Sequence, residues 1–96
     1  MDKHTRMLKL ARRYTWWKSP EEAMQFSQQV YARIMDMGTF EDVQELESII
    51  GAAELQKTLE RAEIGQFRPR SWTYWQARLN NLIGAQVPQL PARRFL

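Results

Sequence analysis

Apolar side chains recur along this chain at three- and four-residue spacings, and nowhere with the two-residue alternation of a half-buried strand. Met7, Leu10, Ala11 and Tyr14 stand at i, i+3, i+4 and i+7, which predicts an amphipathic helix over Lys3–Tyr14 with Arg6, Lys9, Arg12 and Arg13 on its other side. Ser19–Pro20 then signals a second helix start. The serine hydroxyl accepts from an orphan amide, proline at the first helical position gives up no hydrogen bond, and Glu22 completes a capping box. This helix runs towards Met37 with Phe26, Val30, Ile34 and Met37 on one face, unless the polar stretch 25–29 divides it; Gly38 is the expected left-handed stop. Thr39 caps the next segment, with Glu41 and Asp42 in the first turn where the helix dipole favours acids. Phe40, Val43, Leu46 and Ile50 are its inward face, Glu41, Glu45 and Ser48 its wet face, and Gly51 its end. A short helix over Ala52–Ala62 follows, with Leu55, Leu59 and Ala62 inward, and Ile64–Gly65–Gln66 turns the chain. The last helix begins after Pro69, with Ser71 as its cap, and reaches about Ile83 before Gly84.

The expected fold is therefore all-α: a compact bundle of five or six short helices over residues 1–84. An extended tail over 85–96 carries Pro88 and Pro91 and ends Arg93–Arg94–Phe95–Leu96, either mobile or draped over a neighbouring element. At 96 residues, one domain buries roughly 60–70% of its unfolded surface, enough for one modest core. No apolar run approaches the roughly 20 residues that span a bilayer, and no signal-like segment follows the charged start, so the sequence reads as cytoplasmic with no membrane role.

Charge changes this picture more than composition does. The net charge of +3 divides into +5 over residues 1–20, −7 over 21–63 and +5 over 64–96. Basic ends around an acidic middle either meet an acidic partner or fold back onto the middle and neutralise it. The same choice applies to the first helix, whose Arg6, Lys9 and Arg13 can face nucleic acid, anionic lipid or a partner groove, or simply water.

Chemistry is sparse. There is no cysteine, and the single histidine, His4, has no carboxylate placed to orient it, so neither a catalytic triad nor a multi-histidine metal site is expected. The four glycines stand singly after helical patterns and form no phosphate-cradling loop. Neither cofactor nor metal is implied, and no enzymatic constellation.

Two segments stand out as partner-binding candidates. The adjacent Trp16–Trp17 pair cannot point inward along one helical stripe, so one ring is expected at an edge, where exposed tryptophans anchor interfaces, or both wrap around a corner of the domain. The segment Phe67–Leu79, F-R-P-R-S-W-T-Y-W-Q-A-R-L, interleaves arginines with large rings as base-stacking sites do. Helical spacing divides it. Trp72, Trp75, Leu79, Leu82 and Ile83 share about 100° of arc and form a core face. That leaves Arg68, Arg70, Tyr74 and Arg78, with Arg78 able to stack on Tyr74, either to take an anionic surface or to pair with the acids of the middle helices.

The strings W-W-K-S-P-E-E-A, V-Y-A-R-I-M-D-M-G-T-F-E-D-V, I-G-A-A-E-L-Q-K-T-L and F-R-P-R-S-W-T-Y-W-Q-A-R-L together resemble a family of small bacterial all-helical proteins. The likeness covers about Tyr14–Gly84 and departs at Glu63–Ile64–Gly65, where a proline-containing turn is the pattern. Members are often encoded beside nucleotidyltransferase-like toxins of the abortive-infection type. The resemblance thus implies an antitoxin-like or accessory protein partner, and it brings no catalytic residues with it. The alternative reading is a small helical DNA-binding regulator, although the middle helices, Phe40–Ile50 and Ala52–Ala62, carry acids that phosphates would repel.

Overall fold

A computed structural model describes residues 2–92. Among them are five helices and no strand: α1 Lys3–Tyr14, α2 Pro20–Met24, α3 Ser27–Met37, α4 Phe40–Glu60 and α5 Pro69–Ile83. The start signals operate largely as the sequence dictates. The side chains of Ser19 and Thr39 accept from the amides of Glu22 and Asp42, and Asp2, not singled out in the sequence, accepts from that of Thr5, each satisfying one orphan donor of a first turn.

The polar stretch does divide the second helix. Phe26, at φ −119°, ψ 56°, separates α2 from α3, so α3 begins in a new phase. Its buried residues are Val30, Ala32, Ile34 and Met35, whereas Phe26 and Met37, expected inward, are exposed. The reason is position: α3 packs against all four other helices, so its buried residues surround the axis instead of forming one stripe. Gly51, at φ 81° and ψ 163°, breaks α4 into two runs; only glycine takes that conformation without strain. Val43, Leu46, Ile49, Leu55 and Leu59 bury on either side of the break, but Phe40, expected inward, is 67% exposed because it projects from the first position of the helix beyond the core.

Gly38 is not the left-handed stop the pattern predicts. It is extended (φ −68°, ψ 155°), and what requires glycine there is space. A Cβ would stand 2.5 Å from the Ile34 carbonyl oxygen and 3.3 Å from the Tyr14 hydroxyl. That hydroxyl donates to Asp42 Oδ2 at 2.6 Å and accepts from the Thr39 amide, fastening α1 to the start of α4. Asp42, expected only as a first-turn acid favoured by the helix dipole, is consequently buried.

α5 closes the core with Trp72, Trp75 and Leu79. Leu82 and Ile83 lie on the same arc but remain exposed, since the helix outruns anything that could cover them. Ser71 is not a cap. Arg68 occupies the cap position without a capping side-chain bond, and the Ser71 hydroxyl donates to the Asp36 carbonyl. Trp75 Nε1 likewise donates to the Met35 carbonyl at 3.0 Å, so the first half of α5 satisfies orphan carbonyls at the end of α3. After Gly84, Ala85 is buried, Val87 and Leu90 pack against the core, and the Pro88 carbonyl accepts from Trp72 Nε1 at 3.0 Å. Residues 93–96, which include the arginine pair of the tail, lie outside the described residues.

Candidate functional site

Among the described residues, the arginines at the two ends mostly find carboxylates within the chain. From α1, Arg6 donates to Glu45 Oε1 at 2.6 Å and to Ser48 Oγ, and Arg13 donates to Asp42 Oδ1. From α5, Arg68 donates to Asp36 through both its amide and its guanidinium, and Arg78 holds Glu47 with two contacts, the shorter 2.8 Å. Arg78 thus turns to Glu47 instead of stacking on Tyr74, whose ring packs edge-on against Trp75, 5.1 Å between centroids. The Arg6 guanidinium holds Glu45 below the ordinary carboxylate range. At Asp36, burial pushes the carboxyl up, but hydrogen bonds from the Arg68 amide and guanidinium, with the Arg68 charge, outweigh it and leave the group below its ordinary value. Arg6, Arg13, Arg68 and Arg78 are therefore engaged in joining the basic ends to the acidic middle.

Of the residues singled out from the sequence, Lys9, Arg70, Tyr74 and the tryptophan pair remain. Lys9 and Arg70 are exposed and, among the described residues, form no ion pair. Tyr74 and Arg70 border a groove of about 450 Å³ between the end of α3, the start of α4 and α5, whose apolar lining includes Met35, Phe40 and Val43. Trp16 and Trp17 are both outside the core, 71% and 53% exposed, with rings edge-to-face at 4.8 Å. They cannot do otherwise: α1 ends at Tyr14, Thr15 turns inward and is buried, and the loop to Ser19 carries both indoles past the core.

The residues that organise this corner were not distinguished by sequence periodicity. Arg33 of α3 reaches under the indoles, its guanidinium carbon 4.9 Å from the Trp17 centroid and 5.7 Å from that of Trp16. Lys18 lies over Phe26 at 5.0 Å. Trp17, Lys18, Phe26, Gln29, Arg33 and Met37 are among the walls of a groove of about 300 Å³, which adjoins the Tyr74 groove at Asp36. The one signal available in advance was Arg33 itself, a lone cation between apolar neighbours Ala32 and Ile34. His4 is exposed on α1, and no cluster of three or more metal-binding side chains occurs among the described residues. Nor, among them, is any helix long and apolar enough to cross a membrane.

Comparison with known proteins leaves the geometry to speak alone: no family model, curated protein or solved structure matches the chain.

Proposed function

We propose that this protein is a non-catalytic protein-interaction module whose contact face is the aromatic corner around Trp16 and Trp17. One observation carries the reading. Three of the large exposed apolar side chains, Trp17, Phe26 and Met37, line a single groove, and a fourth, Trp16, packs edge-on against Trp17 beside it. Scattered apolar residues are normal on a protein surface, but a gathered patch with two tryptophans has the composition of an interface centre. The adjoining groove of Phe40, Tyr74 and Arg70 extends the face beyond Asp36.

The resemblance over Tyr14–Gly84 names the partner to test first, a nucleotidyltransferase-like toxin, whose metal-binding carboxylates present an acidic surface. Co-expression of the chain with the toxin-like product of an adjacent gene tests the proposal. A complex that co-elutes, relieves toxicity and is lost in Trp16→Ser/Trp17→Ser supports it; no co-elution and no relief of toxicity sink it. The second reading, DNA binding, draws on the exposed Lys9 and Arg12 of α1. It is weakened by the engagement of Arg6 and Arg13 with carboxylates. A titration against duplex DNA at low and high salt decides it, since phosphate binding must weaken steeply with salt.

A further inference from the structure

Arg33 differs from the other arginines that pack against the body of the protein. Arg6, Arg13, Arg68 and Arg78 each meet a carboxylate within the chain. Arg33 forms no ion pair among the described residues, and its Nε is closed off from solvent without a hydrogen-bond acceptor. A buried donor left unmatched is unfavourable, so the folded chain tolerates a strained arrangement at the aromatic corner. The indole faces offset part of it through cation–π attraction. What they cannot supply is the anion that a planar guanidinium matches with paired donors.

The rest of the groove points the same way. Lys18 brings a second cation, over Phe26 and with no carboxylate of its own among the described residues. Among the described residues, the one acid in the walls, Asp36, is already held by Arg68. A groove with two unmatched cations, aromatic walls and no available acid is complementary to an apolar segment that carries negative charge.

Resting on the interaction reading above, we infer that Arg33 is the anchor of the partner site, and that the groove takes an acidic segment of a protein partner: a carboxylate on Arg33 and Lys18, flanked by an aromatic or aliphatic side chain between Trp17 and Phe26. Arg33 then selects for charge, while the tryptophans supply contact area. The salt dependence and charge preference of binding reside in this pair of cations, and not in the more numerous arginines of the two ends.

The test uses the full chain and the fluorescence of its exposed tryptophans. The probes are a short acetylated peptide of alternating Glu, Phe and Leu, the same peptide with Gln for Glu, and, separately, adenosine monophosphate and inorganic phosphate. The expected result is saturable binding of the acidic peptide, weakened by salt, with about tenfold weaker binding of its Gln version, the loss of roughly one charge-assisted contact. Arg33→Gln should lose the same factor and with it the preference for Glu over Gln. Arg33→Lys keeps the charge but not the planar fork, and should fall between. Both variants are first checked for an unchanged helical spectrum and melt, and Lys18→Gln, on an exposed loop, gives a second reading without touching α3. Equal binding of the two peptides, unaltered binding in Arg33→Gln and Lys18→Gln, or tighter binding of the monophosphate or phosphate than of the acidic peptide overturns the inference. A toxin complex lost in Trp16→Ser/Trp17→Ser but kept in Arg33→Gln would leave the interaction module standing and remove Arg33 as its anchor.

Discussion

Four tryptophans divide into a buried pair and an exposed pair, and truncating one from each pair measures the division. Trp75 is 0% exposed. Burying a ring of this size hides up to about 250 Å², worth roughly 4–6 kcal/mol at about 25 cal/mol per Å², and a compact unfolded state lowers this to about 3–5 kcal/mol. Trp75→Ala also leaves the Met35 carbonyl at the end of α3 without its donor, adding about 1 kcal/mol. A chain of this length is stable by only about 5–14 kcal/mol, so the substitution removes a large share of the total. With about 4–8 °C lost per kcal/mol, the midpoint of thermal unfolding should fall by at least about 15 °C. Trp16 is 71% exposed. The quarter or so of its surface that folding hides is about 70 Å², and Trp16→Ala should cost only about 1 kcal/mol. Circular dichroism at the helical minimum, followed through heat and urea, reads both variants. Equal losses in the two, or a Trp75→Ala protein within about 1 kcal/mol of the parent, would refute the assignment of one pair to folding and the other to recognition.

Gly38→Ala should destabilise by about 1–3 kcal/mol, even though its backbone conformation is open to any residue, because the new methyl meets the Ile34 carbonyl at 2.5 Å; an unchanged urea midpoint would contradict the packing between α1, α3 and α4. Acid should weaken the fold through Asp36 and Glu45, both held below their ordinary values. The unfolded chain takes up these protons first as pH falls. The stabilisation is therefore complete above the unfolded value, near 4, and is lost as pH drops through the lower folded value. Urea midpoints measured from neutral pH into acid should show this fall, and in Asp36→Asn the fall should be shallower, from a lower starting stability.

Local chemistry wrote the helices. Ser19–Pro20 and Thr39 cap as their side chains require, Gly51 breaks α4, and the three-and-four spacing of Met7, Leu10 and Ala11 or of Trp72, Trp75 and Leu79 marks faces that do bury. The same spacing assigned Phe26, Met37, Phe40, Leu82 and Ile83 to the core, and all five are exposed. A helical wheel states which residues share a side; it does not state whether another helix lies opposite, and at helix ends none does. The wheel equally left open whether the basic ends turn inward or outward. Tertiary contacts decided that Arg6, Arg13, Arg68 and Arg78 meet acids up to 39 positions away, because only the packed fold sets those distances. They also decided that Arg33, a lone cation between apolar neighbours in sequence, lies beneath Trp16 and Trp17 with no ion pair among the described residues. The sequence by itself determined that this chain is a helical bundle and that Trp72 and Trp75 face its core. Which rings are core and which are exposed followed from where α1 ends and α2 begins, since the loop between them, residues 15–19, carries both indoles past the core.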